Sequence, residues 1–359
     1  MMNKLILNPK ILTIITNTPK NKFMQSELLN TVLENNLKSD EINNEFISDI
    51  YNNSKITSRY LAGIDLINNK STINERTNAF KQISHDIIID MAKQALEQSN
   101  LTNNDIHKII FVSSTGIFAP SIDIEIIKLL NLPVTIERSN ILFMGCAAAI
   151  NAIKNASEYL NSNKEKNVMM ITIELSSLHL NFNHDVCDII THSIFSDGMS
   201  VTILSSQSNN VTPKLYILDS FNYIINNSED GIIISLDNNS IKCKLSKHLP
   251  KFINDNIGQA LQIFLDKNNL TVKDIDFWAV HPGGKRILES VQNGLNLTSD
   301  QLTVSWDILN TYGNMLSSSI MFVLEKFINT QSIKNSNNYC IAFSFSPGVG
   351  IEFILFKKQ

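Results

Sequence analysis

The sequence predicts an α/β protein of the layered α/β/α kind, built from two similar halves. Short β-branched runs alternate with longer amphipathic stretches. The order of elements around one cysteine also reappears around one asparagine. A third observation is length, since 359 residues exceed one ordinary hydrophobic core.

Taken along the chain, Ile11 to Ile15 reads as a buried strand, and so does Lys108 to Ser113. Within the latter, the run Ile109-Ile110-Phe111-Val112 is apolar on every residue, which suits a strand covered on both faces. Ala147 to Leu160 follows as a helix, then Val168 to Ile173 and Ser200 to Leu204 as strands. The second half repeats the order, with Met315 to Ile328 as a helix and Tyr339 to Phe345 and Val349 to Phe356 as strands. The boundary falls near Gln207 to Pro213, where polar residues precede a proline. This divides the chain into halves 1–206 and 207–359. Asn-rich stretches such as Asn226 to Asp230 read as loops.

Composition excludes several classes. The chain is 43% hydrophobic and 18% charged, enough apolar material for a large core. A net charge of -4 with no Lys/Arg cluster gives no field for nucleic acid. The N-terminus opens apolar, but Asn8, Pro9 and Lys10 interrupt it before signal-peptide or membrane-spanning length. A cytoplasmic protein, neither secreted nor membrane-bound, is therefore expected. The four cysteines, at 146, 187, 243 and 340, show no CxxC spacing and read as reduced thiols. His179 and His184 lie five apart with no further ligand at suitable spacing, so no metal is expected.

Three residues carry candidate chemistry. Cys146, in Gly145-Cys146-Ala147-Ala148-Ala149, opens a strong helical pattern, where a helix dipole pushes a thiol towards thiolate. By itself this fits a buried structural cysteine as well. His281 ends a strand-like run and precedes Gly283 and Gly284, which permit close approach of backbone or ligand. It reads equally as a loop histidine capping a carbonyl. Asn314 stands just before the second helix, either as an N-cap or as an inward carboxamide donor for developing negative charge. In the repeat, Cys146 and Asn314 occupy equivalent places, each followed by small residues: Ala147 to Ala149 and Ser317 to Ser319. Two helix N-termini are expected to converge there.

At these motifs the chain resembles the type III polyketide synthases, the chalcone synthase family. The likeness runs through Gly-Cys-x-Ala at 145–148, Ile194-Phe195-Ser196-Asp197-Gly198, the block Phe277 to Leu324 with its His-Pro-Gly-Gly and Tyr-Gly-Asn-Met, and Phe345-Ser346-Pro347-Gly348. It implies a thiolate-based condensing enzyme of the thiolase-like fold, the duplicated αβαβα sandwich. It also implies a homodimer with Cys146, His281 and Asn314 as catalytic set and no cofactor beyond the CoA thioesters. On that precedent an acyl-CoA starter loads onto the cysteine. Malonyl-CoA then decarboxylates to an enolate that lengthens the chain, and cyclisation to a pyrone, resorcinol or phloroglucinol type follows.

The resemblance makes Phe195 a gate between the CoA tunnel and the cavity, with Cys243 where a second gate phenylalanine usually stands. Cavity positions are Ser114, Ala119, Ser176, His179, Thr191 and Leu316, Ala119 replacing a bulky residue that reaches into the partner subunit. The family's phosphate-binding basic residues align near Phe46, Asp49 and Asn53, none of them basic. Lys55, Arg59, Lys285 and Arg286 are the candidate substitutes for CoA. A ketoacyl synthase III-like enzyme, working once with an acyl carrier protein, is the nearest alternative. His-Pro-Gly-Gly followed by Tyr-Gly-Asn-Met argues against it. A hydroxymethylglutaryl-CoA synthase needs a carboxylate beside the cysteine, which the sequence does not single out. The intact set of three weighs against a catalytically silent binding subunit.

Overall fold

The computed structural model describes residues 8–36, 42–63, 71–180, 186–207, 211–329 and 338–359. In the first half lie β1 (Lys10–Asn17), β2 (Lys22–Met24), β3 (Ser58–Tyr60), β4 (Lys108–Ser113), β5 (Glu137–Leu142), β6 (Asn167–Leu175) and β7 (Asp197–Ser205). The second half contributes β8 (Leu215–Ile224), β9 (Ile232–Leu236), β10 (Ile241–Leu245), β11 (Ile275–Val280), β12 (Tyr339–Ser346) and β13 (Gly350–Lys358). Nine of these form one mixed sheet in the order β11-β12-β13-β8-β1-β7-β6-β4-β5.

The duplication is visible in the pairing. β4 runs parallel to β6, which pairs antiparallel with β7. In the same way β11 runs parallel to β12, which pairs antiparallel with β13. Among the described residues, the halves of the sheet pair through Lys10↔Tyr216 and Ile11↔Leu215, between β1 and β8.

Alternation along the strands explains the layers, because successive side chains point to opposite faces. Ile110 and Val112 pack with the helix Ala148–Ser162, and Ala279 and Ala342 join the same cluster beside the helix Ser319–Ile328. Ile109 and Phe111 face the other way, onto the helix Ile73–Gln98. Trp278, Val280, Ile341 and Phe343 likewise face the helix Leu249–Lys267. The two small-residue helices thus share an inner layer with larger helices outside, which is the αβαβα sandwich. No helix among the described residues is long and apolar enough to cross a membrane.

Lys108–Ser113 has the bounds the sequence suggests and the other expected strands are one to four residues longer, while both inner helices start later. Gly145–Ala147 is a 3₁₀ turn before the helix begins at Ala148, and Leu316–Ser318 is another before Ser319. The turns bring Cys146 and Asn314 out of regular helix and towards each other. Of the residues singled out above, His184 lies outside the described residues.

Candidate active site

Cys146 enters the site on a turn that favours glycine. Gly145 has φ +56°, and a Cβ there would meet Pro347 at 3.2 Å and Ile234 at 3.3 Å. Ser114 Oγ accepts from the Gly145 N–H at 3.0 Å, and Ser344 Oγ donates to the Cys146 carbonyl at 2.7 Å. One bond comes from β12 and the other from just past β4, so both halves fix the cysteine.

Asn314 is fixed as firmly. Its N–H donates to Ile194 O at 2.8 Å and its carbonyl accepts from Ser196 N–H at 2.9 Å, a parallel bridge to Phe195. Its carboxamide oxygen accepts from the Leu316 N–H at 2.9 Å, with Leu316 held at φ 46°, a left-handed conformation rare for leucine. Its nitrogen donates to Gly283 O at 3.0 Å and stands 4.0 Å from Cys146 Sγ. One side chain thus closes a local turn through its oxygen and donates inward through its nitrogen, while the N-cap positions fall to Met315 for the turn and Ser318 for the helix.

His281 extends β11 past Val280, donating its backbone N–H to Phe343 O at 3.0 Å. The ring is 1% exposed, and neither nitrogen has a hydrogen-bond partner. Buried imidazoles are ordinarily satisfied, so a ring with two idle nitrogens on a cavity wall is placed for a ligand. It does not cap a carbonyl. Gly283 makes room for it, since a Cβ there would lie 3.3 Å from Nε2. Cys146, His281, Asn314 and Gly283 line one cavity of about 460 Å³.

Burial sets the resting protonation state. It raises the Cys146 thiol well above its ordinary range, with Cys243 and Glu174 adding to the rise and Asn314 opposing it. It pushes His281 down to about 3. The helix-dipole push towards thiolate is thus outweighed, because a single 3₁₀ turn offers little dipole against full desolvation. The ligand-free site holds a thiol and a neutral imidazole.

A second cavity of about 510 Å³ adjoins the first, and Phe195, Ile234, Cys243 and Leu316 line both. Ser114, Ser176, His179 and Thr191 line only the second. Sequence reasoning missed Ile234, which pairs with Cys243 across the β9–β10 hairpin that lies over Gly145. His179 holds that hairpin: its Nδ1 accepts from the Ile241 N–H at 3.2 Å, so Nε2 donates to Thr115 O at 2.7 Å. Burial lowers its pKa to about 4, which keeps both bonds.

Two other expectations, for Arg59 and Ala119, fail in the single chain. Arg59 is 1% exposed and points inward, donating to Gln25 Oε1 at 2.9 Å, Phe195 O at 2.9 Å and the His192 carbonyl. It anchors the Phe195 backbone and is closed to a CoA phosphate. Ala119 is exposed and lines neither cavity. Lys55 is exposed, just after the turn that ends the helix Asn44–Asn52. Lys285 and the exposed Arg286 open the helix Lys285–Leu295, directly after Gly283-Gly284 at the first cavity, with Lys285 4.0 Å from Glu289.

Sequence reasoning also missed Glu174. It accepts from Ser114 N–H at 3.0 Å, Thr115 Oγ at 2.8 Å and Ser317 Oγ at 2.5 Å, tying the end of β4 and the turn after Asn314 to β6. The only sequence signal was one acid in the apolar run Val168 to Leu175. It lines neither cavity, so it is not placed as a general acid. Burial raises its pKa from 4.5 to about 7. A raised carboxyl costs nothing below pH 4.5, where both states are protonated. The cost grows to roughly 3 kcal/mol as pH passes 7. Glu174→Gln is therefore expected to gain stability on the wild type between pH 5 and pH 8, read as urea midpoints at each pH. A gap constant across that range would refute the assignment.

A thiol, an imidazole and a carboxamide meeting in a sheltered pocket between two duplicated α/β halves define a thiolase-fold condensing enzyme. The profile described as "Chalcone and stilbene synthases, N-terminal domain" matches residues 7–208, and its C-terminal counterpart matches residues 217–358. The chain belongs to the chalcone and stilbene synthase family. It is similar to the alpha-pyrone synthesis polyketide synthase-like Pks18 of Mycobacterium tuberculosis, at 34% identity over 96% of this chain and 89% of the relative. It is also similar to the crystal structure of PKS-I from the brown alga Ectocarpus siliculosus, with TM-score 0.91 and 38% identity over 98% of both chains. The C-terminal type III polyketide synthase domain of Steely1 from Dictyostelium superposes with TM-score 0.89 at 26% identity, over 98% of this chain and 99% of that one. Among the described residues, no group of three or more His, Cys, Asp or Glu is placed to hold a metal.

Proposed function

We propose that the chain is a type III polyketide synthase that condenses malonyl-CoA repeatedly onto an acyl starter held by Cys146. One observation carries this reading: the Cys146 sulfur stands 4.0 Å from the Asn314 carboxamide in a cavity also lined by His281, whose ring nitrogens are both idle. As a thioester arrives, His281 takes the Cys146 proton and the sulfur attacks the carbonyl. CoA leaves with that proton, and Cys146 carries the acyl group. Malonyl-CoA next loses carbon dioxide. The resulting enolate oxygen is met by Asn314 Nδ2–H and His281, neutral donors suited to developing negative charge. The enolate carbon attacks the Cys146 thioester, and the sulfur leaves as a thiolate that regains its proton from solvent by way of His281.

The same reading makes the protein a cytoplasmic homodimer of halves 1–206 and 207–359, with Ala119 facing the partner subunit and no cofactor beyond the CoA thioesters. The test is release of labelled carbon dioxide from malonyl-CoA together with mass spectrometry of the products. A protein that releases none and makes none is a binding subunit.

Lys285 and Arg286 supply the charge for CoA phosphates in this reading, with Lys55 as the remaining candidate. The double replacement Lys285→Ala, Arg286→Ala is expected to raise the KM for malonyl-CoA about tenfold, with a smaller effect on kcat. An unchanged KM would move the phosphate site elsewhere, and saturation by malonyl carrier protein alone would favour that donor.

A further inference from the structure

A two-stranded hairpin is marginally stable by itself and takes its position from what holds it. The hairpin of β9 and β10 walls the catalytic cavity through Ile232, Ile234, Cys243 and Leu245. Asp237 N–H donates to Ser240 O at 2.8 Å and Ser246 N–H to Gly231 O at 2.9 Å, bonds that close the hairpin on itself. Ile241 N–H reaches outside it, to His179 Nδ1 at 3.2 Å. Accepting there, the ring carries its proton on Nε2, which donates to Thr115 O at 2.7 Å, just past the end of β4. The backbone behind the ring is fixed as well. Arg76, buried in the helix Ile73–Gln98, donates through Nη1 to the Leu178 carbonyl and through Nε to Ser71 O at 3.3 Å. Burial keeps His179 neutral, with the Arg76 charge adding to it, so Nδ1 remains an acceptor.

We infer that His179 is a positioning residue: it latches the hairpin over Cys146 and so sets whether an acyl group held there meets an enolate or water. This rests on the function proposed above and adds a device that protects its intermediate. A thioester is open to hydrolysis, in which water adds to the carbonyl, the free acid departs and Cys146 recovers its thiol. Ile234 lies 3.3 Å from where a Cβ on Gly145 would stand, so the hairpin rests on the turn that carries Cys146. Lifting it would let water in between Ile234 and that turn. Leucine at 179 would fill much of the same space but leave the Ile241 N–H without its acceptor. Glutamine keeps an acceptor oxygen and a donor nitrogen on one carbon, matching the two ring nitrogens in kind.

The experiment compares the full-length wild type with His179→Leu, His179→Gln and Ile241→Pro. The last removes the N–H side of the same bond at the first residue of β10, where proline is tolerated, and leaves His179 in place. Hydrogen exchange over residues 232–245, read by mass spectrometry, is expected to quicken about tenfold in His179→Leu and in Ile241→Pro, with β1 and β12 unchanged. Alkylation of Cys146 by iodoacetamide should quicken about fivefold in both. The ratio of free acid to polyketide, formed from an acyl-CoA starter and malonyl-CoA, should rise about fivefold, and His179→Gln should stay within about twofold of the wild type throughout. A ratio measured within one variant does not depend on how much of it is folded. Unchanged hairpin exchange in His179→Leu and Ile241→Pro, faster exchange with alkylation and ratio unmoved, or glutamine behaving as leucine does would each overturn the inference. A wild type that makes neither polyketide nor carbon dioxide would instead remove the condensing function, while exchange and alkylation still decide the latch.

Discussion

Cys146→Ala is expected to lower polyketide formation by at least about 10³-fold, since removing a covalent nucleophile removes the intermediate that divides the reaction into two accessible steps. The substitution is sterically mild. Cys146 sits on a turn whose backbone is set by Gly145, Ser114 and Ser344, none of which uses its sulfur. Intact-mass measurement after mixing with acyl-CoA should find one acyl adduct on the wild type and none on the variant. Cys243 makes the test demanding, because its sulfur lines the same cavity and stays in place. Burial raises that thiol to about 12, and no carboxamide is bonded to it. An adduct surviving in Cys146→Ala would transfer the nucleophile's role to Cys243 and end the present assignment.

The second large effect is expected at His281. His281→Ala should reduce condensation by about 10²- to 10⁴-fold, the usual range for a positioned acid–base group. His281→Gln, which keeps an N–H in the cavity, should lose less of the decarboxylation step than alanine does. The pH profile adds an independent check. With the imidazole held near 3 by burial, the neutral form is present from pH 5 upward in the free enzyme. The acid limb of kcat/KM should then fall below pH 5. A limb centred between 6 and 7 that disappears in His281→Gln would show that the imidazole titrates normally.

Much of the fold was legible because its layers are written as local patterns. Ile109 to Val112 is apolar at every position, and the structure sends alternate residues to two different clusters, as a doubly covered strand requires. The inner helices announced themselves through Ala147 to Ala149 and Ser317 to Ser319, small residues that let two helix starts meet. What stayed hidden depends on tertiary direction. Whether Arg59 reaches solvent or turns inward is decided by the carbonyls of His192 and Phe195, more than 130 positions away. The sequence marks no such acceptors. Glu174 was hidden for a related reason: three donors from β4's end and the second half make burial of its carboxyl tolerable, and none is near it in the chain. The thiol's protonation was misread because helix position can be inferred from sequence, whereas depth of desolvation cannot.

The backbone bridge between Phe195 and Asn314 gives the enzyme a constraint on its own diversification. On the function proposed above, access past Phe195 and chemistry at Asn314 are mounted on one joint, with Arg59 bolting the Phe195 side of it to the interior. A larger opening achieved by shifting that backbone would also swing the carboxamide away from the sulfur. On that function, new substrate ranges are reached cheaply by trimming side chains that line both cavities, such as Ile234 and Cys243, and only at a loss of turnover by moving the joint itself.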